Sequence, residues 1–198
     1  MRLSRRPRIT KPGIVRPMLR LAAVAALGAA ARGRLAEQDE TARSLISARR
    51  SETFDRTVPT LTDLGSTYAA LGAAAALWAG GERKLARDVL GASMLAWGAA
   101  QVAKPLFSRP RPYDVGDVDL LVRRPAGQSY PSGHPAVAAA IVGVTRDEVS
   151  GPARPLLDRM PRFVAFSRVY VGAHYPTDVI GGLLLGRAVG DLWRRFSR

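Results

Sequence analysis

The stretch LTDLGSTYAALGAAAALWAG, residues 61–80, is apolar along almost its whole length and carries one charge, Asp63, near its start. At about 1.5 Å of rise per residue, a helix of this length matches the hydrocarbon layer of a membrane. Its many alanines and glycines are typical of helices that pack closely within a bilayer. The stretch therefore predicts a long helix, which either spans a membrane or lies in the core of a soluble bundle.

Similar apolar segments follow along the chain. Residues 89–103 carry no charge, and residues 179–193 are interrupted only by Arg187 and Asp191. No part of the sequence is dominated by the alternation of polar and apolar residues that marks a strand. We therefore predict an all-α fold, a helical bundle of about five to six helices. The recurrence of such segments favours a membrane-embedded bundle over a soluble one.

The N-terminal twenty residues are strongly basic, in a chain whose formal net charge is +14. They contain seven cations and no acid: Arg2, Arg5, Arg6, Arg8, Lys11, Arg16 and Arg20. Such an arm contacts either nucleic acid or the cytoplasmic side of a membrane. Aromatic residues do not interleave with the basic run, and neither a zinc-finger spacing nor a glycine-rich nucleotide loop occurs. We expect a cytoplasmic arm and no nucleic-acid partner.

Two further segments separate this arm from the core. Residues 21–31, LAAVAALGAAA, could be a cleaved signal, an uncleaved anchor or an interfacial helix, of which we favour an uncleaved helix. Residues 37–58 are polar and predict a surface or interfacial helix followed by a turn. The predicted organisation is therefore a basic arm at 1–20, N-terminal apolar and interfacial helices at 21–58, and a helical core at 59–196.

Within the core, prolines and glycines predict where helices begin and end. A second long helix is expected over residues 85–104, followed by an irregular stretch over 105–131 that contains five prolines. A further helix should begin at Gly133 or His134 and end near residue 144. Residues 145–161 are polar and proline-rich, residues 162–170 are helical or extended, and the last helix is expected to begin at Asp178.

The first candidate site lies in SYPSGHPA, residues 129–136, which contains one of only two histidines. Pro131 prevents a helix before it, and Ser132 is a favourable N-cap residue. The backbone N–H groups of Gly133 and His134 would then be free at a helix N-terminus, where anions bind. Taken alone, the stretch is better explained by an ordinary capped helix start with an exposed histidine.

The second candidate is KPLFSRPRP, residues 104–112, which ends the second long helix. Lys104, Arg109 and Arg111 have no nearby acid in the sequence to pair with. The intervening prolines stiffen the backbone and would fix the direction of these cations. They could bind lipid headgroups or form a solvated basic loop.

The third candidate is SRVYVGAHYPTD, residues 167–178, which holds the second histidine. Pro176 breaks the helix after His174, and Asp178 can accept a hydrogen bond from the imidazole across that turn. A carboxylate behind a histidine fixes its tautomer and raises its basicity. A buried structural histidine with Asp178 as an N-cap is the alternative.

The three stretches together indicate a site for a phosphoryl group. Cations would neutralise its oxygens, one base or nucleophile would attack, and one acid would protonate the leaving oxygen. A metal site is less favoured, because two histidines and no cysteine leave mainly carboxylates as ligands.

In order and spacing, these stretches resemble the three signature motifs of the type 2 phosphatidic acid phosphatase superfamily. The elements are Lys104 and, after six residues, Arg111-Pro112; then 131–134, PSGH; then Ser167-Arg168, His174 and Asp178. The resemblance covers roughly residues 61–193. Arg109-Pro110 duplicates Arg111-Pro112, so the register of the first motif depends on the six-residue spacing.

The resemblance implies a phosphatase that needs neither metal nor cofactor and that vanadate inhibits. His174 would be the nucleophile and form a phosphohistidine, Asp178 would orient it, and His134 would be the general acid and base. The remaining motif residues would bind the phosphoryl oxygens: Lys104, Arg111, Ser132, Gly133 and Arg168.

It also implies a lipid phosphate or diphosphate as substrate, and we prefer a polyprenyl-linked one. The expected location is the bacterial inner membrane, as a multi-pass protein that can form homo-oligomers and has its site on the extracytoplasmic side. The alternatives are a soluble or peripheral acid phosphatase for small phosphoesters, a vanadate-dependent haloperoxidase, and a binding protein with an inactive site. Because residues 146–162 are rich in charge, the helices there should be short, tilted or interfacial.

Overall fold

The computed structural model describes residues 13–197, and over this range the protein is helical without a strand. The α-helices are α1 (Val15–Ala31), α2 (Ala36–Ser47), α3 (Glu52–Leu61), α4 (Thr67–Ala79), α5 (Arg83–Phe107), α6 (Pro112–Val115), α7 (Gly133–Thr145), α8 (Ala153–Tyr170) and α9 (Pro176–Phe196). A 3₁₀-helix, Thr62–Gly65, connects α3 to α4. The predicted all-α class is confirmed. The predicted number of five to six helices is wrong, because some segments that were each expected to form one helix contain two.

The bundle is built around α7, which packs against α5, α8 and α9, while α1 lies along α9. Most of α7 is buried, and its side chains are small. Small residues on the facing helices allow close backbone approach: Gly186 of α9 lies directly against the carbonyl of Ala136, and Gly143 faces Gly190. The core is therefore a tightly packed layer of alanine, glycine and valine between α5, α7 and α9.

Residues 61–80 do not form the predicted single long helix. The chain passes from the 3₁₀-helix into an extended Ser66 (φ −79°, ψ 160°), whose hydroxyl accepts a hydrogen bond from the N–H of Ala69 and caps α4. A Cβ at the preceding Gly65 would lie 2.6 Å from the carbonyl oxygen of His134, so α7 can approach this corner only if the residue is glycine. The resulting α4 has thirteen residues.

Across residues 13–197, no helix is both long enough and apolar enough to qualify as a membrane span.

Other helix boundaries also differ from the expectations. The first helix begins at Val15 rather than near residue 22, so it includes the end of the predicted basic arm; residues 1–12 lie outside the described part of the chain. Residues 37–58 contain two helices instead of one helix and a turn. Residues 153–161 of the polar, proline-rich stretch 145–161 already belong to α8, which places most of their charges on its exposed side. The last helix begins at Pro176, a favourable first helical position, two residues before the predicted start.

The motif-bearing ends of four helices converge at one end of the bundle. These are the C-terminal ends of α5 and α8 and the N-terminal ends of α7 and α9. Loops and helix ends therefore bring together residues that are up to 74 positions apart, the separation of Lys104 and Asp178.

Candidate active site

A cavity of about 890 Å³ opens at this end of the bundle. Its lining includes six of the eight predicted site residues: Lys104, Arg111, Gly133, His134, Arg168 and His174. The other two, Ser132 and Asp178, lie fully buried next to members of this set. The structure thus brings all eight predicted residues together, while their roles remain predictions.

His174 lies in the connection between α8 and α9, and its side chain is 3% exposed. Its Nε2 is 3.1 Å from Nη1 of Arg111, and its Nδ1 is 3.5 Å from Oδ2 of Asp178. Because a guanidinium can only donate, Nε2 must be the acceptor, which leaves the proton on Nδ1, facing the carboxylate. Burial first, and then the nearby arginines, lower the pKa of His174 well below its ordinary value. The imidazole is therefore neutral, with its lone pair at Nε2 on the cavity side.

Asp178 occupies the first turn of α9 and is completely buried. Its Oδ2 accepts hydrogen bonds from the hydroxyl of Ser129 (2.5 Å) and from the N–H of Tyr175 (2.8 Å), and its Oδ1 accepts one from Arg109 (2.7 Å). Burial raises the pKa of Asp178, whereas Arg109 and these hydrogen bonds oppose that rise. The carboxylate is thus held on every side that does not face His174.

Ser129 is a site residue that the sequence did not single out. Its hydroxyl lies 3.4 Å from Nδ1 of His174 while it donates to Asp178. It is therefore in contact with both members of the predicted His–Asp pair. The available signal was its position at the start of the first candidate stretch, residues 129–136, three residues before Ser132.

Three buried cations surround the cavity floor: Lys104, Arg111 and Arg168, each at most 8% exposed. Nζ of Lys104 donates to the carbonyl of Gln128 (2.6 Å), and burial, then Arg111, lowers its pKa to about 8. Burial likewise lowers the pKa of Arg168 to about 10. Cations that destabilise one another in this way favour an anion between them.

Two polar side-chain atoms at the site are buried and lack a hydrogen-bond partner within residues 13–197. They are Nε of Arg168, a donor, and Oγ of Ser132. Ser132 adopts the extended N-cap conformation (φ −74°, ψ 124°), but its hydroxyl makes no capping bond, contrary to the role suggested by the sequence. Buried polar groups are nearly always paired in native proteins, so these two atoms indicate where ligand oxygens would bind.

His134 lies in the first turn of α7 and lines the cavity. Its side chain is 29% exposed, and its Nε2 is 3.7 Å from Oδ1 of Asp63 in the 3₁₀-helix. Burial, followed by Arg168 and the other cations, lowers the pKa of His134 to about 3. A bound phosphoryl group would offset those positive charges and raise this pKa. Asp63, at the mouth of the cavity, was not predicted as a site residue.

Among residues 13–197, no group of three or more histidine or carboxylate side chains is arranged to hold a metal ion.

Comparison with known proteins supports the family resemblance. The PAP2 superfamily matches residues 85–198, which is more than half of the chain. Undecaprenyl-diphosphatase BcrC of Bacillus subtilis is 34% identical over 94 residues, covering 46% of this chain and 47% of that protein. Decaprenylphosphoryl-5-phosphoribose phosphatase of Mycolicibacterium smegmatis is 36% identical over 115 residues, covering 58% of this chain and 62% of that protein. The matches thus span about half to three fifths of these relatives.

Two solved structures share the fold over most of their length. The first transmembrane PAP2 type phosphatidylglycerolphosphate phosphatase from Bacillus subtilis superposes with a TM-score of 0.76 at 25% identity, covering 91% of this chain and 95% of that one. LpxE of Aquifex aeolicus superposes with a TM-score of 0.70 at 27% identity, covering 79% and 94%. With the sequence match, the shared fold and the motif residues gathered at one cavity, this chain belongs to the PAP2 superfamily.

Proposed function

We propose that this protein is a phosphatase that hydrolyses a lipid phosphate or diphosphate, with a polyprenyl-linked substrate preferred. The observation that carries the proposal is the pair of unpartnered buried atoms, Nε of Arg168 and Oγ of Ser132, beside three mutually repelling cations and a neutral His174. This set of groups suits a dianionic, oxygen-rich ligand. Relatives named for polyprenyl diphosphates and polyprenyl phosphoribose support the substrate class.

The first chemical step would be attack of Nε2 of His174 on phosphorus. The new N–P bond forms as the bond to the leaving oxygen breaks, and His134, protonated once the phosphoryl charge is bound, donates a proton to that oxygen. Arg111 must first exchange its hydrogen bond with Nε2 for one with a phosphoryl oxygen. Binding of the phosphoryl group would therefore free Nε2 of His174 for attack.

The second step would return His174 to its free form. Water attacks the phosphohistidine, His134 accepts the proton of that water, and the N–P bond breaks to release phosphate. Throughout, Asp178 faces the Nδ1 proton and stabilises the positive charge that the imidazole acquires. Lys104, Arg111 and Arg168 would offset the charge on the equatorial oxygens.

We further propose that the reaction requires neither metal nor cofactor and that vanadate inhibits it. Vanadate adopts the five-coordinate geometry that resembles a phosphoryl group in transit, and transition-state analogues bind far more tightly than substrates. A histidine nucleophile with surrounding cations supplies the groups that the reaction needs.

The protein would act at a membrane, in the inner membrane of a bacterium, with the site on the extracytoplasmic side. Tyr68 and Trp97 line the cavity and are 85% and 44% exposed, which places aromatic surface beside the phosphate site. Amphipathic aromatic side chains are enriched where protein meets the lipid interface. The basic N-terminal residues favour a cytoplasmic location for that end of the chain. The apolar side chains exposed on α4 and α5 could also mediate homo-oligomerisation.

The experiment is phosphate release by the purified protein in detergent with EDTA present. Substrates are a polyprenyl diphosphate, a polyprenyl-linked sugar phosphate and the small ester p-nitrophenyl phosphate. We expect release from a polyprenyl substrate, loss in His174→Ala, and inhibition by vanadate. Equal activity in His174→Ala would refute the mechanism, and loss with EDTA would refute metal independence. Preference for the small ester would point to an acid phosphatase, and halide oxidation with added vanadate to a haloperoxidase.

A further inference from the structure

A second arginine lies behind the candidate active site and does not line the cavity. Arg109 precedes Arg111 by two residues, and its side chain is 5% exposed. The chain reaches it through Ser108, which ends α5 in the left-handed conformation (φ 44°). Nη1 of Arg109 donates to Oδ1 of Asp178 (2.7 Å) and to the hydroxyl of Thr177 (2.6 Å). The duplicated Arg-Pro pairs therefore separate: Arg111 faces the cavity, and Arg109 supports the carboxylate from behind.

The other end of this guanidinium is held by α2. Nη2 of Arg109 donates to Oδ2 of Asp39 (2.6 Å), and Asp39 is 3% exposed. Oδ1 of Asp39 accepts from the backbone N–H of Thr177 (2.9 Å), and its Oδ2 also accepts from the threonine hydroxyl. The guanidinium carbon lies 4.2 Å from the centre of the Tyr175 ring, a cation–π distance. Arg109 is thus fixed on all sides by buried partners.

The contact with Asp39 determines how Arg109 can reach Asp178. An unrestrained arginine pairs with a carboxylate through two parallel hydrogen bonds and so occupies both oxygens. Here Asp39 takes Nη2, and only Nη1 reaches Asp178, at Oδ1. Oδ2 therefore remains on the side of His174 Nδ1.

The charges of this buried group also suit the reaction. Asp39 and Asp178 are two carboxylates that share one guanidinium, so the group carries a net charge of −1. With Asp39 absent, Arg109 would neutralise Asp178 fully. Negative charge directly behind the imidazole stabilises the positive charge that His174 acquires when it attacks phosphorus.

We propose that Arg109 and Asp39 are positioning residues that act through Asp178: together they hold Oδ2 toward His174 and maintain negative charge behind the imidazole. The inference rests on the proposed function of His174 as nucleophile. It assigns a role at the active site to α2, which lies outside the segment that matches the family. Neither residue reaches the substrate cavity.

The first test is steady-state phosphate release by Asp39→Asn and Arg109→Gln. We expect kcat to fall about 10- to 100-fold, the size of effect typical for residues that orient a catalytic group through its neighbour. KM should stay within about threefold, because neither residue contacts substrate. Arg109→Lys keeps the charge but cannot bridge both carboxylates, so it should recover only part of the loss. Thr177→Val removes just the bridging hydroxyl and provides a milder variant if the charge changes impair folding.

Arg50→Gln is the matched structural control. Arg50 follows α2 and anchors that part of the chain to α8 by donating to the carbonyl of Tyr170 (3.0 Å), but it does not reach Asp178. Loss of stability alone should affect Arg50→Gln and Asp39→Asn alike. If all the variants lose activity only in proportion to a lowered thermal midpoint, Asp39 and Arg109 are structural and the proposal is overturned.

The second test does not depend on activity. Since the chain has only two histidines, tag-free His134→Gln labelled with ¹⁵N-histidine reports His174 alone by NMR. The neutral imidazole should show its proton on Nδ1, and Asp39→Asn or Arg109→Gln should shift the Nδ1 resonance, because the carboxylate that faces this proton is then held differently. Unchanged shifts with wild-type kcat would overturn the proposal. Changed shifts, together with a protein that retains both histidines and yet releases no phosphate, would support the positioning role while refuting the proposed function.

Discussion

Gly65→Ala tests whether the 3₁₀ corner before α4 determines the position of His134. Gly65 is buried, and a Cβ there would lie 2.6 Å from the His134 carbonyl oxygen and 2.6 Å from a Val164 methyl group. Ordinary van der Waals contact begins near 3.4 Å. The corner and the first turn of α7 must therefore separate by about 0.8 Å.

The expected effects concern both stability and turnover. Overpacking of a closely packed interior costs about 1–3 kcal/mol. For a chain of this size, that lowers the thermal midpoint by about 2–12 °C. A displacement approaching 1 Å of a group that must transfer a proton reduces kcat by up to about 100-fold. The assays are thermal unfolding in detergent and phosphate release from the polyprenyl substrate.

Gly72→Ala is the matched control for this substitution. Gly72 lies within α4, where no atom comes within 4 Å of an added Cβ. Replacing a glycine in a helix by alanine stabilises the helix by about 0.5–1 kcal/mol, so this variant should unfold at a slightly higher temperature with full activity. A Gly65→Ala protein with wild-type stability and turnover would show that the corner can move freely, and it would refute the reasoning.

Three further predictions concern individual side chains. Burial lowers the pKa of Lys104 to about 8, and the proposed phosphate binding needs its charged form. The kcat/KM should therefore fall as pH rises through about 8. In Lys104→Arg this decrease should move to higher pH. The pKa of His134 is about 3 in the folded protein, against a reference value of 6.5, so the unfolded chain binds more protons between these two pH values. The free energy of unfolding should therefore decrease as pH falls from 6.5 to about 3. Chemical denaturation should show a weaker decrease in His134→Gln. Tyr130→Phe removes the buried hydrogen bond to the Val24 carbonyl (2.5 Å) and should cost about 1–3 kcal/mol in thermal unfolding, whereas Tyr68→Phe, at an exposed position, should be neutral.

The sequence was most informative where proline and glycine mark the ends of helices. Pro131, Gly133 and Pro176 stand next to the two histidines, and local backbone chemistry alone determines that these histidines lie at helix boundaries. The six-residue spacing also selected Arg111 rather than Arg109 for the first motif, and in the structure Arg111 contacts Nε2 of His174. Such short-range features survive folding unchanged, so the candidate site was largely predictable.

Features that depend on distant contacts were not predictable in the same way. Within residues 61–80, Gly65 and the N-cap residue Ser66 are only a short local signal for a break, and the contact of Gly65 with the His134 carbonyl of α7 was not visible in the sequence. The partnership of Arg109 with Asp39 joins residues 70 positions apart, and nothing in the spacing of either residue indicates it. Ser129 likewise becomes a site residue only because α9 brings Asp178 to it.

The hydrogen bond from Arg111 to Nε2 of His174 also bears on chemical selectivity in the resting protein. A neutral imidazole with a free lone pair reacts with many electrophiles, but here that lone pair is occupied and the side chain is 3% exposed. His134, at 29% exposure, is the more accessible of the two rings. An acylating reagent such as diethyl pyrocarbonate should therefore modify His134 first and His174 only slowly. The same arginine that would bind substrate would therefore shield the proposed nucleophile until an anion able to compete for its guanidinium arrives.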